Sequence, residues 1–184
     1  MVKAKAPRNK TLELSPKEIA LYASKAVKLS QKSNLTDVIN RVIRQDSFKA
    51  LDLLPDGCID LMIVDPPYNL TKNFGKSTFK EMDFDAYKKW LDKWLKKTVR
   101  LLKDNASIYI CADWKTSICI PEAAGKYFIL RNRISWEREK GRGAKDNWKN
   151  CLEDIWFFTK GKDYTFNIDA VKVQRPVIAP YRNE

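Results

Sequence analysis

Asp65, Pro66, Pro67 and Tyr68 are four consecutive residues suited to holding an exocyclic amine on a flat heteroaromatic base. A carboxylate and a proline carbonyl can each accept one N–H hydrogen bond from such an amine. The ring of Tyr68 offers a face for the base to stack on, worth about 1–3 kcal/mol when a base meets an aromatic side chain. An amine conjugated to a purine is a poor nucleophile because its lone pair is delocalised into the ring. Hydrogen bonds that draw both N–H groups out of the ring plane make that lone pair available. The same residues also read as a plain Pro-Pro turn, with Asp65 capping it and Tyr68 packing beside it.

The element that must carry these groups lies just upstream. Ile59, Leu61, Met62, Ile63 and Val64 form an apolar run without strict alternation, the pattern of a strand buried on both faces within a parallel sheet. Two prolines forbid helix and further ladder pairing, so the chain turns off the carboxyl end of that strand. In open α/β sheets ligands bind at that edge.

Asp65-Pro66-Pro67-Tyr68-Asn69 after an apolar strand resembles the catalytic motif of amino-group DNA methyltransferases. The Asp-first form is similar to the adenine-N6 enzymes; cytosine-N4 enzymes more often open with Ser. The resemblance runs from about Val38 to about Tyr181, in the segment order of the β group. It implies Asp65, Pro66, Pro67 and Tyr68 as catalytic residues and S-adenosyl-L-methionine as cofactor, close to Asp65 and Pro66. In the same family an element at Gln45-Asp46-Ser47 sets its acid against the cofactor's adenine, with Gln45 standing here where Gly is usual. Asp46 or Ser47 capping the following helix is an equally good reading, and both can hold at once. Protein glutamine methyltransferases are also similar, but they open the motif with Asn. A methyltransferase-like module that binds DNA without turnover is the alternative class.

Composition agrees with a nucleic-acid partner. The 184 residues hold 35 Lys plus Arg against 23 Asp plus Glu, a formal charge of +12. A field of that sign favours a polyanion, nucleic acid first, although a lysine-rich surface alone would give the same count, and the resemblance implies double-stranded DNA as that partner. There is no His, and Cys58, Cys111, Cys119 and Cys151 show no CxxC spacing, which argues against a zinc site or a Ser-His-Asp triad. Reduced thiols and a cytoplasmic, prokaryotic or phage-type setting are expected. No apolar run approaches a membrane span.

The remaining segments follow in order. Lys3, Lys5, Arg8 and Lys10 mark a basic arm, and Ser15-Pro16-Lys17-Glu18 starts a helix expected to reach about Lys32 with Ile19, Tyr22, Ala23, Ala26 and Leu29 or Val27 facing inward. Residues 1–37 are read as this arm and helix, and 38–184 as the catalytic portion of an incomplete domain. Val38 to Arg44 reads as a strand, and a short helix follows to Leu54. Thr71 to Met82 reads as a polar loop beside the site, and Phe84 to Leu102 as an amphipathic helix. Ser107 to Ala112 and Leu152 to Thr159 read as buried strands, Tyr127 to Trp136 as another strand, and Thr116 to Lys126 as a helix with Pro121 in its first turn. Tyr164 to Ile168 reads as an edge hairpin, and Gln174 to Glu184 as extended. The rhythm predicts an α/β fold with a partial doubly wound, mostly parallel sheet and an N-terminal helical extension.

Between Arg131 and Asn150, seven Lys or Arg face three acids, a balance of +4. Gly141 and Gly143 suggest a mobile loop in which Arg138, Lys140, Arg142, Lys145 and Lys149 meet phosphates and Trp136 meets an extruded base. The six glycines are 57, 75, 125, 141, 143 and 161. None forms the F-x-G-x-G turn that cradles the cofactor's methionine end in the resembled family. A complementary chain, or self-association, is therefore expected to supply that turn and to cover the sheet edge.

Overall fold

The computed structural model describes residues 12–73, 77–142, 145, 146, 148 and 150–173, with the backbone alone for 139–142. The basic arm up to Lys10, Gly75, Lys149 and the 174–184 tail lie outside the described residues. The chain divides into two compact units, Met1–Cys58 and Ile59–Glu184. The division after residue 37, by contrast, follows the motifs and groups Asp46 and Ser47 with the catalytic portion.

In the first unit, α1 spans Pro16–Lys25 and opens with a capping box between Ser15 and Glu18. It stops seven residues short of Lys32 because Ala26 turns extended (ψ 135°) and Val27 forms a parallel bridge with Ile43. The side chain of Gln45 accepts a hydrogen bond from the Leu29 N–H at 2.6 Å, holding the departing chain. None of α1 is buried, so the expected inward face has no core against it. Val38 to Arg44 is not a strand either. Asn34 and Asp37 cap a single turn, α2, over Leu35–Val38, and Asn40 then takes a positive φ of 56°. Local capping outweighs the β preference of Val and Ile here. Helix α3, Ser47–Leu53, begins at Asp46, whose carboxylate accepts from the Lys49 N–H at 3.0 Å.

The second unit holds a four-stranded sheet. In chain order its members are β1, Ile59–Val64; β4, Leu102–Ala112; β5, Ile129–Arg142; and β6, Asn150–Thr159. Two short strands, β2 (Lys72–Asn73) and β3 (Thr78–Phe79), pair with each other within the Thr71 to Met82 segment. The spatial order is β1-β4-β6-β5, with β1 and β4 parallel and β6 antiparallel to both its neighbours. Three strands therefore run one way and β6 alone runs back, which agrees with the expected mostly parallel sheet.

Register explains the core. Met62 faces Ile108 and Ile108 faces Phe158, and all three are buried. Leu91 and Leu95 of α4 (Phe84–Thr98) and Ile120, Ala123 and Ala124 of α5 (Cys119–Ala124) are buried too. Asp83 caps α4 through the Ala86 N–H at 2.8 Å. Pro121 is the third residue of α5, where its missing N–H costs little.

The opposite face corrects the reading of β1 as buried on both sides. Leu61 is 54% and Ile63 70% exposed while Met62 on the other face is buried, because the described residues cover only one face of β1. β4 likewise buries one face fully, through Ala106, Ile108, Ile110 and Ala112, while the alternate residues are half-buried. Further along, Tyr109 stacks on Phe157 at 4.7 Å, and Tyr164 and Phe166 close over Phe157. Tyr164 to Ile168 thus forms a lid of rings and no hairpin; a 3-10 turn follows at Ile168–Ala170. The basic stretch also differs from the expected loop. β5 continues to Arg142, which pairs with Asn150 across a register shift, so Gly141 lies within a strand.

Candidate active site

The carboxyl ends of β1, β4 and β5 and the start of β6 share one edge of the sheet, as the strand directions require. Asp65 leaves β1 there with its side chain exposed, Pro66 is buried, and Tyr68 is half-buried. A cleft of about 360 Å³ opens at this point, lined by Asp65, Pro66, Tyr68, Lys72, Phe79 and Glu153 among others.

The loop is held from two sides. Tyr87 of α4 donates its hydroxyl to the Pro67 carbonyl at 2.9 Å. Asn69, 2% exposed, brackets one residue: its amide N donates to the Met82 carbonyl at 2.7 Å and its Oδ1 accepts from the Met82 N–H at 2.8 Å. Of the two proline carbonyls, Pro67's is thus engaged within the protein, which makes Pro66's the candidate acceptor beside Asp65. Asn69→Ala removes both bonds and leaves Met82 unsatisfied, a cost of about 1–3 kcal/mol. A melting temperature several degrees lower is the expected result, and an unchanged one would show that the bracket is dispensable.

Tyr68 donates its hydroxyl to Glu153 Oε2 at 3.1 Å, and Arg138 Nη1 meets Glu153 Oε1 at 2.7 Å. Burial, reinforced by the negative charges of Asp65 and Glu153, holds the Tyr68 hydroxyl well above the usual tyrosine range. It therefore remains a protonated donor. Cys111 lies near the same acids, and burial first, then Asp65 and Glu153, pushes its thiol up. That thiol is a packing group.

The structure brings Asp65, Pro66, Pro67 and Tyr68 to one cleft. Asp46 and Ser47 are in the first unit, exposed, at the start of α3. On the basic stretch, Trp136 is 55% exposed and Lys145 is exposed. Arg138 points back to Glu153, and the side chains of Lys140, Arg142 and Lys149 lie outside the described ones. Glu153, Tyr87 and Phe79 were not singled out by sequence. Glu153 left a signal, being an acid at the start of the apolar run Ile155 to Thr159. A second groove of about 560 Å³ runs along α4 and α5, but the Lys88–Glu122 and Lys126–Asp92 pairs of its lining satisfy each other. Among the described residues no cluster of His, Cys, Asp or Glu could hold a metal ion, and no helix is long and apolar enough to cross a membrane.

Residues 59–176, which include every strand of the four-stranded sheet, match the model of a family described as DNA methylase. The chain belongs to the DNA methylase family. It is 36% identical over 138 residues to the type II methyltransferase M.HpaI of Haemophilus parainfluenzae, covering 72% of this chain and 43% of that protein. It is 33% identical over 137 residues to the DNA adenine methyltransferase YhdJ of Escherichia coli K12, covering 72% and 46%. The methylase chain thus spans about half the length of the curated relatives it matches. Among solved structures it is similar to the cytosine-N4-specific PvuII DNA methyltransferase, with TM-score 0.58 and 18% identity over 80% of this chain and 56% of that one. It is also similar to the DNA modification methylase TTHA0409 of Thermus thermophilus, complexed with S-adenosyl-L-methionine. There the TM-score is 0.51 at 19% identity, over 66% and 54%. At these identities the likeness shows the fold, which is the α/β methyltransferase type expected from the sequence.

Proposed function

We propose that this chain is the catalytic portion of a site-specific DNA adenine-N6 methyltransferase acting on a flipped adenine in double-stranded DNA. The observation that carries this reading is the Asp65-Pro66 pair at the end of β1, on a loop braced by Tyr87 and Asn69 and facing a cleft walled by Tyr68. Asp65 accepts one N–H of the target amine and the Pro66 carbonyl the other, which turns the nitrogen lone pair out of conjugation. Tyr68 holds the base plane. The exposed Asp65 carboxylate then passes the proton lost by the amine to water. S-adenosyl-L-methionine, when bound, supplies the electrophilic methyl group.

The residues present fit the acceptor side of that chemistry better than the cofactor side. Asp46 offers an acid for the cofactor's adenine, although its Oδ1 already caps α3. The charged methionine tail has no glycine-rich cradle among the six glycines. We infer that a further segment, from the rest of the polypeptide or a second chain, pairs the edge of β1, packs over Leu61 and Ile63 and brings that cradle. Arg142, Lys145 and Lys149, with Lys140, supply positive charge to the DNA side, in keeping with +12 overall. The bacterial relatives and the Cys usage support a prokaryotic cytoplasmic setting.

Adenine rather than cytosine is favoured by the Asp that opens the motif and by the likeness to an enzyme named as a DNA adenine methyltransferase. Nucleoside mass spectrometry of DNA treated with the complete enzyme and cofactor is the test. N6-methyladenine is expected. N4-methylcytosine would overturn the base assignment, and tight DNA binding without either product would indicate an inactive module. Within the same assay, Tyr68→Ala is expected to lose much of the activity, about tenfold or more, while Tyr68→Phe retains most of it because the ring face is kept. Equal losses in both would assign the essential role to the hydroxyl.

A further inference from the structure

Glu153 carries an almost buried charge beside the cleft, its side chain 15% exposed. A carboxylate is costly to desolvate unless both oxygens find partners. Here each has one: Tyr68 Oη on Oε2 and Arg138 Nη1 on Oε1. The three residues come from different places in the fold. Tyr68 follows β1, Glu153 sits on β6 opposite Trp136, and Arg138 is two residues further along β5. Since β4 lies between β1 and β6, Tyr68 reaches across the end of β4 to make this bond.

Arg138 is committed to the protein. Its Nε is buried and makes no hydrogen bond, and among the described residues its ion-pair partner is Glu153, with the side chain as a whole 37% exposed. A phosphate-binding arginine presents its fork to solvent. This one has turned inward, towards the ring that the base would stack on.

We propose that Glu153 is the positioning residue for Tyr68, and that Arg138 is its internal counter-ion rather than a contact to DNA phosphate. The proposal rests on the methyltransferase reading for its effect on turnover. Glu153 fixes the Tyr68 ring as one wall of the cleft before the base arrives, so that little ordering remains to be done on binding. Arg138 keeps the carboxylate aimed. The β5–β6 hairpin thereby fixes the stacking ring through side chains that never touch the substrate.

The test uses the complete enzyme with 3-fluorotyrosine incorporated, the Tyr68 resonance being assigned by its loss in Y68F. In E153A the Tyr68 fluorine signal is expected to shift or broaden, and kcat to fall about threefold, the same modest loss as in Tyr68→Phe, which breaks the same bond, with KM for DNA nearly unchanged. E153Q, whose amide oxygen still accepts from the Tyr68 hydroxyl, is expected to recover most of both. R138Q should disturb the same resonance and leave the salt dependence of binding to mixed-sequence DNA as in wild type. K145Q should flatten that log–log slope by about 0.9, as a lost phosphate contact does. R138Q also serves where E153A is too unstable to measure. An unmoved Tyr68 signal with unchanged kcat in E153A and R138Q, or a slope reduced by a full phosphate contact in R138Q, overturns the proposal. A wild-type enzyme that methylates no DNA, with the Tyr68 signal still moving in E153A, overturns the methyltransferase reading and leaves the positioning contact standing.

Discussion

Asp65→Ala is expected to abolish methyl transfer while leaving DNA affinity nearly unchanged. Asp65 is the charged acceptor at the end of β1, and the loop that carries it is fixed by bonds it does not make itself: Tyr87 to Pro67, and Asn69 to Met82. Truncating it therefore leaves Pro66, Pro67 and Tyr68 in place. What disappears is one of the two hydrogen bonds that free the amine's lone pair, together with the only carboxylate directly joined to the proline pair. Charge-assisted bonds of this kind contribute about 1.5–3 kcal/mol in the ground state. One that strengthens in the transition state contributes more, several factors of ten in rate. DNA affinity should hardly move, because it arises mostly from phosphate contacts and Asp65 carries the wrong sign for those. Single-turnover methylation and equilibrium binding, measured on the same preparation, check both halves. Turnover surviving within about tenfold, roughly 1.4 kcal/mol, would remove Asp65 from the mechanism.

The sequence made the catalytic edge readable because prolines and an apolar run are strong local signals. Pro66 and Pro67 stop the strand whatever surrounds it, so the position of Asp65 and Tyr68 at a strand end followed from sterics. The direction of the three co-oriented strands followed from the alternation of apolar runs with the Phe84–Thr98 helix. Three things were not legible. Composition alone points to burial of β1 on both faces, but Leu61 and Ile63 are exposed because nothing among the described residues covers their face of the strand. A run of apolar residues states what a strand is suited to, and its neighbours decide what it receives. The Val38 to Arg44 segment went wrong for the opposite reason: Asn34 and Asp37 capped a turn locally, and β preference lost. Finally, charge density points to Arg138 as a phosphate contact and carries no sign of its ion pair. Its partner, Glu153, lies on the neighbouring strand, and only the β5–β6 register brings the two together.

The 184-residue chain by itself is expected to bind S-adenosyl-L-methionine only weakly. Its acceptor side is built, with Asp65 and Pro66 at a braced strand end, but the cofactor carries a charged amino-acid tail that has to be desolvated as well. Enzymes meet such a tail with backbone N–H groups at a strand-to-helix turn, where glycines allow the chain to come close. The glycines here do other work. Gly57 takes a positive φ of 58° between α3 and β1, where a side chain would be strained. A Cβ on Gly125 would meet the Pro121 carbonyl oxygen at 2.6 Å, and one on Gly161 the Asp104 carbonyl oxygen at 2.5 Å. Each of these three glycines is thus used to close a turn of the fold. Without the tail's contacts the affinity should sit nearer millimolar than micromolar, a gap of about 4 kcal/mol. Adding a segment that carries the glycine-rich turn should restore micromolar binding. It should also raise the melting temperature by linkage, since the cofactor then binds the folded state alone. The same segment has a physical reason to dock, because a strand added along β1 would pair its open edge and a helix packed on that face would cover Leu61 and Ile63. Calorimetric titration with and without that segment decides the matter. Micromolar binding by the chain alone would mean that the cradle is formed by residues other than a glycine-rich turn.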